Sequence, residues 1–180
     1  TRYWRDWSSD VCSSDLVPSI GTLVNRNQGK RKRKGSRATV PLKVVGMDIG
    51  YGADIGIGGF KYVLVLIDQC TRHLFIYGMH RSLGNDITEA LWKFFIDARG
   101  FPRTIQCDFD TRFVGGTAAA LLCSHGTAIR AAPPRRQDKI GLVERRWQEM
   151  TKMVRSYLTE AKVPTSFWFW ALRKANLRCN

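Results

Sequence analysis

The amino-acid sequence predicts an α/β domain in which a mixed sheet lies between helices. Three strand patterns open the domain, and later strand patterns alternate with helical ones. With 180 residues, of which 44% are hydrophobic, the chain is long enough to bury a sizeable core. Strands joined by short turns pair antiparallel, whereas strands joined through a helix pair parallel. We therefore expect a sheet with an antiparallel start and crossover connections later.

The first half of the domain supplies three strands and one helix. Strands are predicted at residues 44–48, 62–67 and 73–79, and the second of these is a continuous apolar run typical of a central strand. A helix follows, because apolar residues recur at helical spacing up to residue 98. Asp86 and Glu89 have the spacing of a capping box at its start.

The second half alternates strands with helices. Strands are predicted at residues 103–108 and 128–131, with a short helix at 118–123 between them. A long helix is predicted at residues 138–161 and a final one at 166–177. The long helix should bury one stripe of residues, namely Val143, Trp147, Met150, Val154 and Leu158.

The residues before the domain divide into two segments. Residues 1–16 repeat Ser-Ser-Asp at a spacing of five and closely resemble a translated sequencing adapter, so we interpret them as non-native. Residues 17–40 are predicted to form a flexible basic arm, because adjacent like charges repel one another. The arm either binds phosphates, or acts as a nuclear import signal, or is a solvated linker. Its basic residues are Lys30, Arg31, Lys32, Arg33 and Lys34.

Composition excludes several classes of protein. The formal net charge of +14 favours a polyanionic partner, most often nucleic acid, over a merely soluble basic protein. No apolar run is long enough to span a membrane, so no membrane partner is expected. The five cysteines form no Cys-x-x-Cys pair and the three histidines no metal-binding pair, which argues against a disulfide scaffold and a zinc site.

Three acidic residues occupy positions that suit metal-dependent chemistry. Asp48 ends the first strand pattern, Asp108 ends the fourth, and Glu144 lies on the first turns of the long helix. Three converging carboxylates suit a hard cation such as Mg²⁺ or Mn²⁺. Two such ions about 4 Å apart clamp the oxygens of an in-line phosphoryl displacement. The alternative is that these aspartates only form turns.

The long helix also carries a polar stripe beside its apolar one. Glu144, Gln148, Thr151 and Arg155 follow one another at helical spacing, at the rim of the packed face. Positive side chains lie nearby, as a DNA-binding groove requires. Of these positive side chains, Arg145, Lys152 and Arg155 are predicted to bind nucleic acid.

The residues around the three acids resemble one family, the integrase catalytic core of copia-type long-terminal-repeat retrotransposons. The resemblance extends from Val44 to Asn180 and rests on motifs in the family's order. These are Gly46-Met47-Asp48-Ile49-Gly50, residues 64–72, Ile105-Gln106-Cys107-Asp108 with Phe113, and Gly141-Leu142-Val143-Glu144-Arg145, followed by Pro164, Phe167-Trp168, Ala171, Ala175 and Asn180.

The resemblance implies an RNase H-like fold with a five-stranded mixed sheet flanked by helices over residues 41–180. It implies a polynucleotidyl transferase that uses two Mg²⁺ or Mn²⁺ ions held by Asp48, Asp108 and Glu144. Gln148 and Thr151 occupy positions where family members contact DNA. The implied partners are the DNA ends of the element, target DNA and further copies of the chain, and the implied location is the nucleus.

The sequence departs from the family pattern in ways that leave alternatives open. Residues 109–112 replace the usual Asn-Gly-Gly-Glu, which makes Asp110 a rival ligand, and Ile140 replaces an asparagine. The family's zinc module and carboxy-terminal DNA-binding part are lacking, so we expect a fragment of a polyprotein. The competing hypotheses are a non-catalytic nucleic-acid-binding remnant and a related RNase H-like nuclease or transposase.

Overall fold

The computed structural model describes residues 38–108, 113, 116–132 and 141–180, all within the unit Arg37–Asn180. Its centre is a five-stranded sheet with the order β3-β2-β1-β4-β5. The β1–β2 and β2–β3 pairs are antiparallel, and the β1–β4 and β4–β5 pairs are parallel, which confirms the predicted mixed sheet. The strands are β1 (Val45–Tyr51), β2 (Tyr62–Asp68), β3 (Leu74–Met79), β4 (Thr104–Asp108) and β5 (Ala128–Ala132).

Helices cover both faces of the sheet. The connection from β3 to β4 and the connection from β4 to β5 each contain a helix, as parallel pairing requires. Among the described residues, no helix combines the length and the apolar character that crossing a membrane requires. The helices are α1 (Gly84–Ala98), α2 (Gly116–Ser124), α3 (Gly141–Ala161) and α4 (Trp168–Cys179), with a 3-10 turn, Thr165–Phe167, directly before α4.

The start of α1 corrects the predicted capping box. The helix begins at Gly84, and Leu83, at the N-cap position, makes no side-chain capping bond. Asp86 lies inside the first turn, where its negative charge interacts favourably with the helix dipole. Glu89 accepts a hydrogen bond from Lys93 at 2.7 Å, one turn further on. The predicted box does not form, because the helix already begins two residues before Asp86. Helix stability in a protein comes mainly from packing of the apolar face, which here outweighs the local capping motif.

The first strand is longer than the sequence predicts. Strand β1 continues three residues past Asp48 to Tyr51, because Tyr51 pairs with Tyr62 at the start of β2. Asp48 therefore lies in mid-strand, and the prediction that it ends the strand is wrong. The prediction that Asp108 ends β4 is confirmed. The predicted start of the long helix falls in 133–140, outside the described residues.

The two faces of β1 are different in character. Val45, Met47 and Ile49 belong to the main hydrophobic core, which also includes the buried faces of α1 and α2. Gly46 and Gly50 lie on the opposite face, which α3 covers. A Cβ atom on Gly46 would lie 2.4 Å from Val143 Cγ2, and one on Gly50 would lie 2.4 Å from the ring of Trp147. Helix α3 thus packs directly on the backbone of β1. The predicted buried stripe of α3 is confirmed, since all five of its members are buried.

The β1–β2 loop is held against the start of α4. Gly52 and Gly56 lie under the indole of Trp168, where a Cβ atom would come within 2.4 and 2.8 Å of the ring. The indole Nε1 of Trp168 donates a hydrogen bond to the Asp54 carbonyl oxygen at 3.1 Å. The hydroxyl of Thr165 donates a hydrogen bond to the Asp54 carboxylate. These contacts fix a glycine-rich loop that begins beside the end of β1.

Two side chains hold the β3 end of the sheet in place. The Asp68 carboxylate accepts hydrogen bonds from the backbone N–H groups of Cys70 and Thr71, which closes the β2–β3 turn. The Asn180 amide accepts a hydrogen bond from the Leu74 N–H and donates one to the Leu74 carbonyl, both at 2.8 Å. Asn180 therefore acts as a one-residue strand partner for β3.

Candidate active site

The parallel pairing of β1 and β4 brings Asp48 and Asp108 to equivalent positions. Gly46 pairs with Gln106, and each aspartate lies two residues further along its strand. Because side chains alternate between the faces of a sheet, both carboxylates share the face of Gly46 and Gln106. That is the face on which α3 packs. The sheet therefore presents two neighbouring carboxylates to the first turns of α3.

Glu144 lies in the first turn of α3, next to the residue that fixes the helix on the sheet. The side chain of Val143 packs over Gly46, two residues before Asp48 on β1. Glu144 is half-buried, so its carboxylate lies at the rim of the helix–sheet contact. Because Gly46 has no side chain, α3 packs closely on β1. Glu144 therefore lies on the same face of the sheet as the two aspartates.

The pKa of Asp48 reflects both its burial and the charges of the other two acids. Burial is the main cause that raises the pKa of Asp48 from 3.8 to about 7. The Ile49 N–H donates a hydrogen bond to the Asp48 carboxylate at 2.8 Å, which lowers the pKa. The negative charges of Asp108 and Glu144 raise it. Asp48 is therefore a largely desolvated acid in the field of two further carboxylates.

This donor set fits a divalent hard cation in its chemistry. Carboxylate oxygens are the ligands that Mg²⁺ and Mn²⁺ prefer, and a bound cation would offset both the repulsion among the acids and the burial of Asp48. Within the part of the chain that the structure describes, no three His, Cys, Asp or Glu side chains are grouped closely enough to hold a metal ion as they stand. The rival ligand Asp110 lies outside the described residues.

The predicted DNA-contact residues of α3 fall into two groups. Arg145, Gln148, Lys152 and Arg155 are exposed. Arg145 Nε donates a hydrogen bond to the Gly141 carbonyl at 2.7 Å, which holds that side chain along the first turn. Thr151 is different, because its hydroxyl is buried and has no hydrogen-bond partner among the described residues. The basic run at residues 30–34 lies outside the described residues.

Sequence reasoning missed the positioning role of two glycines. Gly46 and Gly50 stand two residues before and two residues after Asp48, so all three share one face of β1. The glycines leave room for Val143 and Trp147, and Asp48 lies between these two contacts. The spacing Gly-x-Asp-x-Gly is visible in the sequence and is the signal that predicts a helix packed closely on both sides of the acid.

Comparison with known proteins assigns this chain to a family. The profile of the family described as "Integrase core domain" matches residues 38–137, which is more than half of the chain. The chain belongs to the integrase core domain family. The matched residues include Asp48 and Asp108, whereas Glu144 lies beyond them.

Curated relatives are retrotransposon polyproteins of plants. The chain is 25% identical over 137 residues to the Pol polyprotein of transposon RE2 from Arabidopsis thaliana, covering 75% of this chain and 9% of the relative. It is 25% identical over 158 residues to that of transposon TNT 1-94 from Nicotiana tabacum, covering 82% and 12%. The chain therefore spans about a tenth of the length of these relatives.

Solved structures with the same fold are retroviral integrases, whose catalytic cores are RNase H-like. One is the intasome of simian T-cell lymphotropic virus in complex with a PP2A regulatory subunit, with a TM-score of 0.66 and 17% identity over 78% of this chain and 49% of that chain. Another is the HTLV-2 integrase catalytic core with magnesium in a trimeric form, with a TM-score of 0.61 and 17% identity over 78% and 86%. The predicted RNase H-like fold is confirmed.

Proposed function

We propose that this chain is the catalytic core of a copia-type retrotransposon integrase. It would cleave the 3′ ends of element DNA and join them to target DNA by two-metal, in-line phosphoryl transfer. The observation that carries the proposal is the state of Asp48, a half-buried acid whose pKa is raised to about 7 by desolvation and by the charges of Asp108 and Glu144. An acid with a strongly raised pKa, close to other charged groups, is typical of a functional site. Membership of the integrase core family and a relative solved with magnesium support the same reaction.

Each part of the site has a separate task in this reaction. Asp48, Asp108 and Glu144 would hold two Mg²⁺ or Mn²⁺ ions, which supply an activated nucleophile and a stabilised leaving oxygen. Asp48 must give up its proton to act as a ligand, and its pKa of about 7 allows this at neutral pH. Exposed cations on α3, such as Lys152, would neutralise phosphates beside the acids. No side chain has to form a covalent intermediate.

The proposed partners are the DNA of the element, target DNA and further copies of the chain. The net charge of +14 supports DNA binding, and the structural relatives are described as an intasome and a trimeric core. Nuclear location is proposed from the Lys30–Lys34 run together with this function. Gln148 and Thr151 remain the proposed DNA contacts beyond Glu144, and for Thr151 this requires exposure of the buried hydroxyl.

A disintegration assay on labelled branched DNA with Mn²⁺ tests the proposal. We expect the full chain to join the strands, and we expect Asp108→Asn and Glu144→Gln each to lower the rate by at least about a thousandfold, because each removes a metal ligand. Glu149→Gln is the matched control. It removes a carboxylate from the same helix, where Glu149 is exposed and paired with Arg146, so the rate should be unchanged.

Other outcomes separate the competing functions. Folded protein that binds DNA in a salt-dependent way but joins nothing, with or without Mn²⁺, would identify a non-catalytic nucleic-acid-binding protein. Cleavage without joining would identify a nuclease. Equal loss of rate in Glu149→Gln and Glu144→Gln would contradict the assignment of Glu144.

A further inference from the structure

A second basic surface lies at the end of the sheet, away from the exposed face of α3. It is an open cleft of about 520 Å³ between the β1–β2 loop and the segment that connects β3 to α1. Of its lining residues that the structure describes, three are basic and none is acidic. The basic ones are Lys61, His80 and Arg81, and Tyr62, Ile55 and Leu83 contribute less polar walls.

Two of the three basic side chains of this cleft, those of Lys61 and His80, are held in place and keep donors for a ligand. Lys61 Nζ donates one of its three N–H bonds to the Ala53 carbonyl at 2.8 Å. His80 Nδ1 donates to the Gly59 carbonyl at 3.0 Å, and its ring stacks on Phe60 with centroids 5.1 Å apart. This leaves Nε2 of His80 for another partner.

One acidic side chain acts on the cleft from α1. Glu89 interacts electrostatically with His80, but its carboxylate is paired with Lys93 at 2.7 Å. Arg81 is exposed, and Lys61 is half-buried. The local charge is therefore positive, which suits an anionic ligand.

The position of the cleft relates it to the acidic residues. Tyr62, in its wall, pairs with Tyr51, and Tyr51 is three residues beyond Asp48 on β1. At a strand rise of about 3.3 Å per residue, the cleft lies roughly 10 Å further along the strand direction. Tyr62 packs against the α1 face of the sheet, so a strand bound at Asp48 reaches the cleft by passing the end of β1.

We propose that Lys61, His80 and Arg81 bind a backbone phosphate of the DNA strand held at the acidic residues. With a rise of about 3.4 Å per nucleotide, that phosphate is at least about three nucleotides from the reacting phosphodiester, because the DNA strand must also pass from one face of the sheet to the other. The inference rests on the proposed function, because it assigns a second contact to the same DNA. The cleft fixes the direction in which the strand leaves the site, whereas the acids act on its reacting phosphate.

The test compares two variants of the full chain that remove the same charge from two clefts. The first is Lys61→Gln with Arg81→Gln. The control is Lys174→Gln with Arg178→Gln, in a cleft of about 510 Å³ between α3 and α4, where Glu160 offsets part of the charge. Duplex DNA binding is measured in chelator across a range of salt, with melting temperatures to confirm folding. We expect about tenfold or greater weakening at roughly 0.1 M salt, and a log–log salt slope smaller by about one because one phosphate contact is lost, in the first variant only.

A second measurement works without substitution and distinguishes DNA from free phosphate. Acetylation of the Lys61 amine is followed by mass spectrometry with duplex DNA or with inorganic phosphate at matched ionic strength. Protection by DNA alone supports the proposal. Equal weakening in both variants, or protection by phosphate as strong as by DNA, would overturn it while leaving the proposed function intact. If the wild-type chain binds no DNA, the proposed function itself fails, and the cleft assignment fails with it.

Discussion

Asparagine at position 48 is expected to stabilise the metal-free chain at pH 8 and to abolish strand joining. The pKa of Asp48 is about 7 in the fold against 3.8 ordinarily, so the folded chain holds a proton that the unfolded chain has lost between these pH values. The fold therefore loses stability as pH rises from about 4 to 7, by up to about 4 kcal/mol. Asp48→Asn removes this loss, because a neutral amide needs no proton.

Thermal unfolding in chelator at pH 5 and pH 8 measures this effect as the difference between variant and wild type. The melting temperature of Asp48→Asn should exceed that of the wild type by several degrees at pH 8 and by much less at pH 5. Glu149→Gln, which alters an exposed carboxylate in an ion pair, should show no such dependence. A lower melting temperature for Asp48→Asn at pH 8 would contradict the burial of an ionised acid at this position.

Gly50→Ala is expected to destabilise the fold by about 3 kcal/mol. It is also expected to lower joining activity below the wild-type rate, even where the variant is folded. The added Cβ would lie 2.4 Å from two carbon atoms of the Trp147 ring, far inside van der Waals contact. Trp147 is buried on α3, so relief of the clash requires α3 to move away from β1. That movement carries Glu144 away from Asp48, because both depend on the same helix–strand contact.

Gly141→Ala is the matched control for this prediction. Gly141 begins α3, and a Cβ atom there meets nothing within 4 Å, so alanine should be neutral or mildly stabilising. Urea unfolding gives the two free energies, and the disintegration assay at a temperature where all variants are folded gives the activities. Equal stability of Gly50→Ala and wild type would show that α3 does not rest on the β1 backbone.

The sequence carries much of the fold because its hydrophobic patterns are strong. The stripe of α3 follows from helical periodicity alone, and every predicted member, from Val143 to Leu158, is buried. The continuous apolar run at residues 62–67 predicts a strand with neighbours on both sides, and β2 lies between β1 and β3. A local hydrophobic pattern is therefore sufficient to predict a helix or strand whose structure is determined by burial of its apolar side chains.

Features that depend on distant residues are not predictable in this way. The hydrogen bonds between Asn180 and Leu74 and between Thr165 and Asp54 join residues more than 100 positions apart. The length of β1 is set by its pairing with Tyr62, which no local signal around Asp48 reveals. The capping box predicted at Asp86 and Glu89 shows the reverse error. The local motif is present, but α1 begins at Gly84, two residues before Asp86, and the motif does not cap it.

The residues of the candidate site are a prediction from the sequence, whereas the pKa of Asp48 is not predictable from the sequence. The three acids follow from their strand and helix positions together with a family resemblance, and their roles as metal ligands remain a prediction. The raised pKa of Asp48 comes from burial under α3 and from the charges of Asp108 and Glu144. Burial of that kind requires the approach that Gly46 and Gly50 permit, which only the packed structure shows.

Calorimetric titration of Mn²⁺ into the full chain at pH 6.5, in two buffers of different ionisation enthalpy, tests the central claim most directly. We expect saturable binding with release of a proton, because Asp48 is largely protonated at this pH and must ionise to act as a ligand. Asp48→Asn should abolish the proton release, and Asp108→Asn and Glu144→Gln should weaken the binding, whereas Glu149→Gln should change neither. Binding that is unaffected by these three substitutions, or no binding at all, would contradict a metal site formed by Asp48, Asp108 and Glu144.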